Sequence, residues 1–207
     1  MKTTLKKIWS MGPCELGWYQ LVEGLGMPEL KYLVEQSNEE GKDFCFTEQD
    51  ESALSTEVSL RFILENNSWE DCKWAWRCVE GYDREFRLLA VAFAKPFKNL
   101  MADQRSLYAL EVAEKFANGL STVEELRVAN DGAYDAYKTA DAATDASDAA
   151  TDASDAANFA YLASCSDRFA AHIINAAPGY YYADRAAKIQ EFNRLLDCIE
   201  AGETYNI

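Results

Sequence analysis

Residues 142–155 read AATDASDAATDASD, the heptad AATDASD written twice without a change. Between Ser121 and Pro178 the only residue that interrupts a helix is Gly132. The repeat therefore sits inside a helical run of about 55 residues, about 80 Å long if unbroken at the α-helical rise. Ser121-Thr122-Val123-Glu124 supplies a capping box at its start. Asn130-Asp131-Gly132 is a breaker able to split or bend it.

On such a helix Asp141, Asp145, Asp148, Asp152 and Asp155 fall within about 80° of arc. Alanines from Ala142 to Ala160 fill an adjoining face, and Thr144, Ser147, Thr151 and Ser154 take the remainder. Small side chains let another helix approach, and a seven-residue period keeps the seam aligned. The final helix, folding back after Pro178-Gly179, is the expected cover. An exposed seam instead favours a homodimer. The aspartate face has no such plain use. Like charges three and four residues apart repel, by a few tenths of a kcal/mol per pair. From Ser121 to Ala160 nine acids, Asp131 and Asp135 among them, face two bases, Arg127 and Lys138; the difference of −7 is close to half of the chain's −15.

Outward from the repeat, the chain reads as helix after helix. Residues 104–118 place Leu107, Leu110, Val112 and Phe116 on one side and stop at Gly119. Residues 82–101 form the most apolar helix, which Pro96 kinks or ends. Ser68 caps a helix whose Trp69, Cys72, Trp76 and Val79 share one face, read as turned to the core. Residues 53–65 suit a helix and residues 37–52 a loop holding the extended piece DFCFT. Pro13 sits at a helix N1 position, with Leu16, Tyr19, Leu21 and Val22 as the apolar face, and Pro28 opens a short second helix. At the far end, residues 181–201 offer Ile189, Phe192, Leu195, Leu196 and Ile199 for packing and stop at Gly202.

The expected architecture is all-α. Residues 1–120 make a compact helical domain, and residues 121–207 a long alanine-rich helix with the C-terminal helix returning as a hairpin.

The chain has 207 residues, 49% hydrophobic and 27% charged, with 35 acids against 20 bases. That composition is globular. Its charge disfavours direct contact with nucleic acid or an anionic membrane and suits a basic partner. No run of about 18 apolar residues spans a membrane, and MKTTLKKIWSMG lacks the apolar core of a signal peptide. Six cysteines without CxxC spacing read as reduced thiols of a cytoplasmic protein.

Motifs of catalysis are missing. His172 is the only histidine, set among alanines and isoleucines near a helix end. Cys165 stands two turns from it, about 10 Å away and beyond direct proton transfer. There is no phosphate loop, GxSxG or HExxH, and aspartates on a rigid helix cannot wrap calcium. The expectation is a protein without cofactor or metal that binds rather than catalyses.

Two segments, WSMGPCELGWYQLVEGLG (residues 9–26) and REFRLLAVAFAKPFKNLMADQRSLYALEVAEKFANGLSTVEEL (residues 84–126), together with the alanine repeat, cover about half of the chain. They resemble alanine-rich helical accessory proteins of phages and mobile elements, some described as immunity-protein-like or as candidate inhibitors of host defence. The resemblance implies a helical accessory protein that acts by binding, in the host cytoplasm if phage-encoded. In those proteins Arg, Trp or Lys usually interrupts the repeat; here it carries Asp alone.

One carboxylate per about 5 Å of helix axis is of the order of the one phosphate per 3.4 Å that a DNA strand presents. Two readings follow. In the first, Asp131, Asp135, Asp141, Asp145, Asp148, Asp152 and Asp155 mimic phosphates in the groove of a basic nucleic-acid-binding host protein, such as a CRISPR effector or restriction enzyme. In the second, the stripe is merely solvated. An immunity or structural protein then meets its partner through aromatic surfaces, with Tyr180 and Tyr181 at the turn after the long helix as anchors.

Overall fold

A computed structural model describes residues 1–33, 46–141 and 182–207. It is all-α, with nine α-helices among the described residues and one two-stranded ribbon. The chain divides into two compact units, Met1–Glu80 and Gly81–Ile207. The expected boundary near residue 120 falls inside the second unit, because the helices on either side of it pack on each other more extensively than any other pair.

In unit 1, β1 (Lys2–Thr4) runs antiparallel to β2 (Glu57–Ser59), with Thr3 opposite Val58. Leu5 N–H donates to Thr56 O and Leu60 N–H to Met1 O, so the ribbon is closed at both ends. The helix expected over residues 53–65 is thus two helices, α3 (Glu48–Leu54) and α4 (Leu60–Asn66), split by a strand. Three residues are too few to show an alternating pattern; only the partner strand at the N-terminus reveals β2.

Helix α1 (Leu5–Ser10) follows β1, and α2 (Glu15–Gly24) begins at Cys14, whose Sγ accepts the Gly17 N–H. Pro13 therefore precedes the N-cap rather than occupying N1. Trp18, Leu21 and Val22 form the buried face of α2, while Leu16 is exposed. The short helix that Pro28 opens starts as a 3-10 turn, Pro28–Lys31; Tyr32 and Leu33 follow as α-helix, and the rest lies outside the described residues. Phe46 and Thr47 are described, but the rest of the expected extended piece DFCFT lies outside the described residues.

Helix α5 (Trp69–Ala75) is capped by Ser68, as its sequence indicates, and a 3-10 turn, Trp76–Cys78, continues it. Trp69, Cys72 and Trp76 are buried, the two indoles edge to face at 5.5 Å, which bears out the core reading for these three; Val79 lies past the 3-10 turn in extended backbone and is half-buried. Burial pushes the Cys72 thiol up to about 12 and the Cys78 thiol to about 11. Cys14, Cys72, Cys78 and Cys198 are free thiols.

Unit 2 holds α6 (Asp83–Ala94), α7 (Gln104–Ala117), α8 (Val123–Asp141) and α9 (Tyr182–Ala201). Pro96 ends α6 and sits in the first turn of a 3-10 segment, Lys95–Leu100, because a proline there loses no helical hydrogen bond. Helix α9 packs on α6 through Phe192, Leu195 and Leu196, all buried. The tail then returns: Tyr205 is buried, its hydroxyl donates to Glu191, and Arg84 reaches its carbonyl oxygen at 3.0 Å. The cover described for α9 is thus α6. Whether α9 also covers the repeat concerns residues outside those described.

Candidate protein-binding face on α8

Helix α8 is the described start of the long acidic run. Gly119, at φ +71°, ends α7 and turns the chain. Thr122 caps α8: its hydroxyl accepts the Glu125 N–H at 3.1 Å, and the Glu125 carboxylate accepts the Thr122 N–H at 2.7 Å. The capping box thus lies one residue later than Ser121–Glu124. Both the backbone and the hydroxyl of Thr122 hold the Glu125 carboxyl below its usual range.

One side of α8 is closed. Leu126, Ala129, Ala133 and Ala136 are buried, spaced by three, four and three residues. They face α7, whose Ala109, Leu110, Val112 and Ala113 are buried in turn. This is a heptad seam with small residues on both helices, which lets the backbones approach closely. Gly132 does not break the helix: it lies against the aliphatic stem of Arg105, 3.7 Å from where a Cβ would stand. Tertiary packing overrides the local breaker.

The opposite side is exposed and charged. Asp131 and Asp135 lie there. Arg127 bridges Glu124 (2.7 Å) and Asp131 (2.9 Å), and holds the Glu124 carboxyl below its usual range. Asp131 is therefore partly answered within its own helix, a pairing that the (i,i+4) spacing could have revealed. Arg105 is held charged chiefly by its hydrogen bonds to Asp103, with the field of Asp135 added. Apolar groups flank the acids: Val128 and Tyr134 are among the exposed large hydrophobics, and Lys138 stands over the Tyr134 ring at 4.6 Å. Such a mixed face was not anticipated from the charge count.

Asp141 is the last described residue of α8. Asp145, Asp148, Asp152, Asp155, Tyr180, Tyr181, Cys165 and His172 lie outside the described residues. Leu126, Ala129, Ala133 and Ala136 set a seven-residue register on α8. With Leu126 at position a, Asp131 falls at f and Asp135 at c. Both are outer positions of the heptad, and both residues are exposed.

Among the described residues no group of three or more potential metal ligands comes together, and no helix is long and apolar enough to cross a membrane. No protein family, curated protein or solved structure matches this chain.

Proposed function

We propose that this protein is a non-enzymatic inhibitor of a basic, nucleic-acid-binding host defence protein, acting in the cytoplasm through the outer face of α8 and the aspartate heptads that follow it. The observation that supports this reading is the shared period. On α8 the seam Leu126, Ala129, Ala133 and Ala136 is buried while Asp131 and Asp135 on the other side are exposed, and the sequence repeats aspartate with the same seven-residue period beyond it. A row of carboxylates so disposed complements a phosphate-reading groove, speeds encounter, and makes binding salt-sensitive. Val128 and Tyr134 add apolar area to the acids, which suits a protein partner better than solvent alone.

The test is capture from bacterial lysate by the wild-type chain and by a variant with Asp145, Asp148, Asp152 and Asp155 changed to Asn, after matching their helicity by circular dichroism. A nucleic-acid-binding protein held by the wild type, released by duplex DNA and lost by the variant, supports the proposal. The same partner held equally by both chains, or capture indifferent to DNA and salt, refutes it.

A further inference from the structure

Helix α9 ends at Gly202, whose φ of +70° turns the chain back. Gly202 N–H donates to Ile199 O at 3.1 Å and Glu203 N–H to Cys198 O at 2.7 Å. In the segment that returns, Glu203, Thr204 and Asn206 are exposed, Ile207 is half-buried and Tyr205 is fully buried. The segment is therefore anchored by one side chain. The Tyr205 hydroxyl donates to Glu191 Oε1 at 2.5 Å, and the Arg194 guanidinium lies over its ring at 4.5 Å. Arg194 also pairs with that carboxylate, so cation, ring and acid close on one another.

These contacts fix the segment to α9 itself. Arg84, in the first turn of α6, ties it to the rest of unit 2. The Arg84 Nη1 donates to Tyr205 O at 3.0 Å and its Nη2 to Asn118 Oδ1 at 2.8 Å. Asn118 is the C-cap of α7. One half-buried guanidinium thus joins α6, the end of α7 and the returning segment. Ile207 adds an apolar wall to the groove that Phe93 and Pro96 line at the end of α6.

The helices beneath are unequally held. Eight of the twelve residues of α6 are buried, and α8 is seated on α7 along Leu126, Ala129, Ala133 and Ala136. Helix α9 packs chiefly on α6 among the described helices, with Phe192, Leu195 and Leu196 as its described buried side chains. An element with fewer buried contacts opens at lower free energy than the core it covers.

We propose that Glu203–Ile207 is a latch, with Tyr205 as its bolt and Arg84 as its catch, whose release lets α9 leave α6 while α6, α7 and α8 stay folded together. Unit 2 then has a closed state and an open one, and the open one uncovers Phe192, Leu195, Leu196 and the face of α6 beneath them. The latch is independent of what α8 binds.

The experiment is native-state amide hydrogen exchange on the full chain, wild type and Arg84→Gln. In the wild type, amides of residues 188–200 should exchange through one shared opening, about tenfold or more faster than the slowest amides of α7 and α8. Arg84→Gln takes away the catch and leaves the apolar contacts of α6 and α9 in place. It should speed the shared opening of residues 188–200 about tenfold, the factor expected of one charge-assisted hydrogen bond, and leave residues 109–113 and 126–136 unchanged. Wild-type amides of α9 that exchange in step with those of α7 and α8 overturn the proposal, as do α9 amides that exchange independently of one another. So does an Arg84→Gln chain in which all the helices, or none, exchange faster. The wild-type comparison decides the question even if the variant fails to fold.

Discussion

Gly132→Ala should stabilise the protein. At this position the sequence alone suggests a break and the structure has none. Helix α8 runs unbroken from Val123 to Asp141, so Gly132 has helical backbone angles that alanine adopts without strain. The new methyl group would meet Arg105 Cβ, Cδ and Cγ at 3.7–3.8 Å, which is ordinary van der Waals contact. Nothing need move, and the unfolded chain loses backbone freedom, so the gain is about 1 kcal/mol. For a chain of this size that raises the melting temperature by roughly 2–4 °C.

Gly119→Ala is the matched control. Open space surrounds that position, yet its φ of +71° strains any side chain. A loss of about 1 kcal/mol is expected from backbone strain alone. Differential scanning calorimetry of the three chains at one scan rate gives the comparison. A melting temperature that falls, or stays level, with Gly132→Ala would mean that Asn130-Asp131-Gly132 does interrupt the helix. Leu126 and Ala129 would then no longer share one register with Ala133 and Ala136.

Two further expectations rest on buried polar groups. Tyr205→Phe removes the hydroxyl that donates to Glu191 while keeping the ring under Arg194, so it should cost about 1–2 kcal/mol and speed amide exchange in residues 202–207; unchanged urea midpoints and exchange would show that this bond does not hold the tail. In unit 1, hydrogen bonds from Tyr32 and then Thr47 hold the Asp50 carboxyl below its usual range, and the same contact pushes the Tyr32 hydroxyl up to about 12. The depressed carboxyl stabilises the fold fully above its unfolded pKa of about 4, and that contribution fades as the pH falls through the lower folded value. The raised tyrosine contributes fully below about pH 10 and loses its contribution as the pH rises towards 12. Tyr32→Phe should therefore flatten both limbs of the stability–pH curve measured by urea unfolding, and an unaltered curve would contradict the linkage.

Helix identity and several helix ends were legible in the sequence because their causes are local. Ser68 caps α5, Pro96 ends α6 and Gly119 ends α7, each through atoms within a few residues. The all-α class and the inward face of Trp69, Cys72 and Trp76 follow from periodicity alone. The total charge, and the density of carboxylates from residue 121 to 160, need no coordinates either.

Other features depend on what the distant chain supplies. The strand Glu57–Ser59 exists because Lys2–Thr4 lies opposite it. Trp18 rather than Leu16 is buried on α2 because Leu30 O receives its indole N–H at 2.8 Å. Gly132 remains helical because α7 lies against it, and the pairing of α7 with α8 places both helices in one unit across the loop where a boundary was expected. For the acidic face, composition told how many carboxylates there are. Only the buried seam on α7 decided which side of α8 they occupy, since a helix has no inside until another surface covers it.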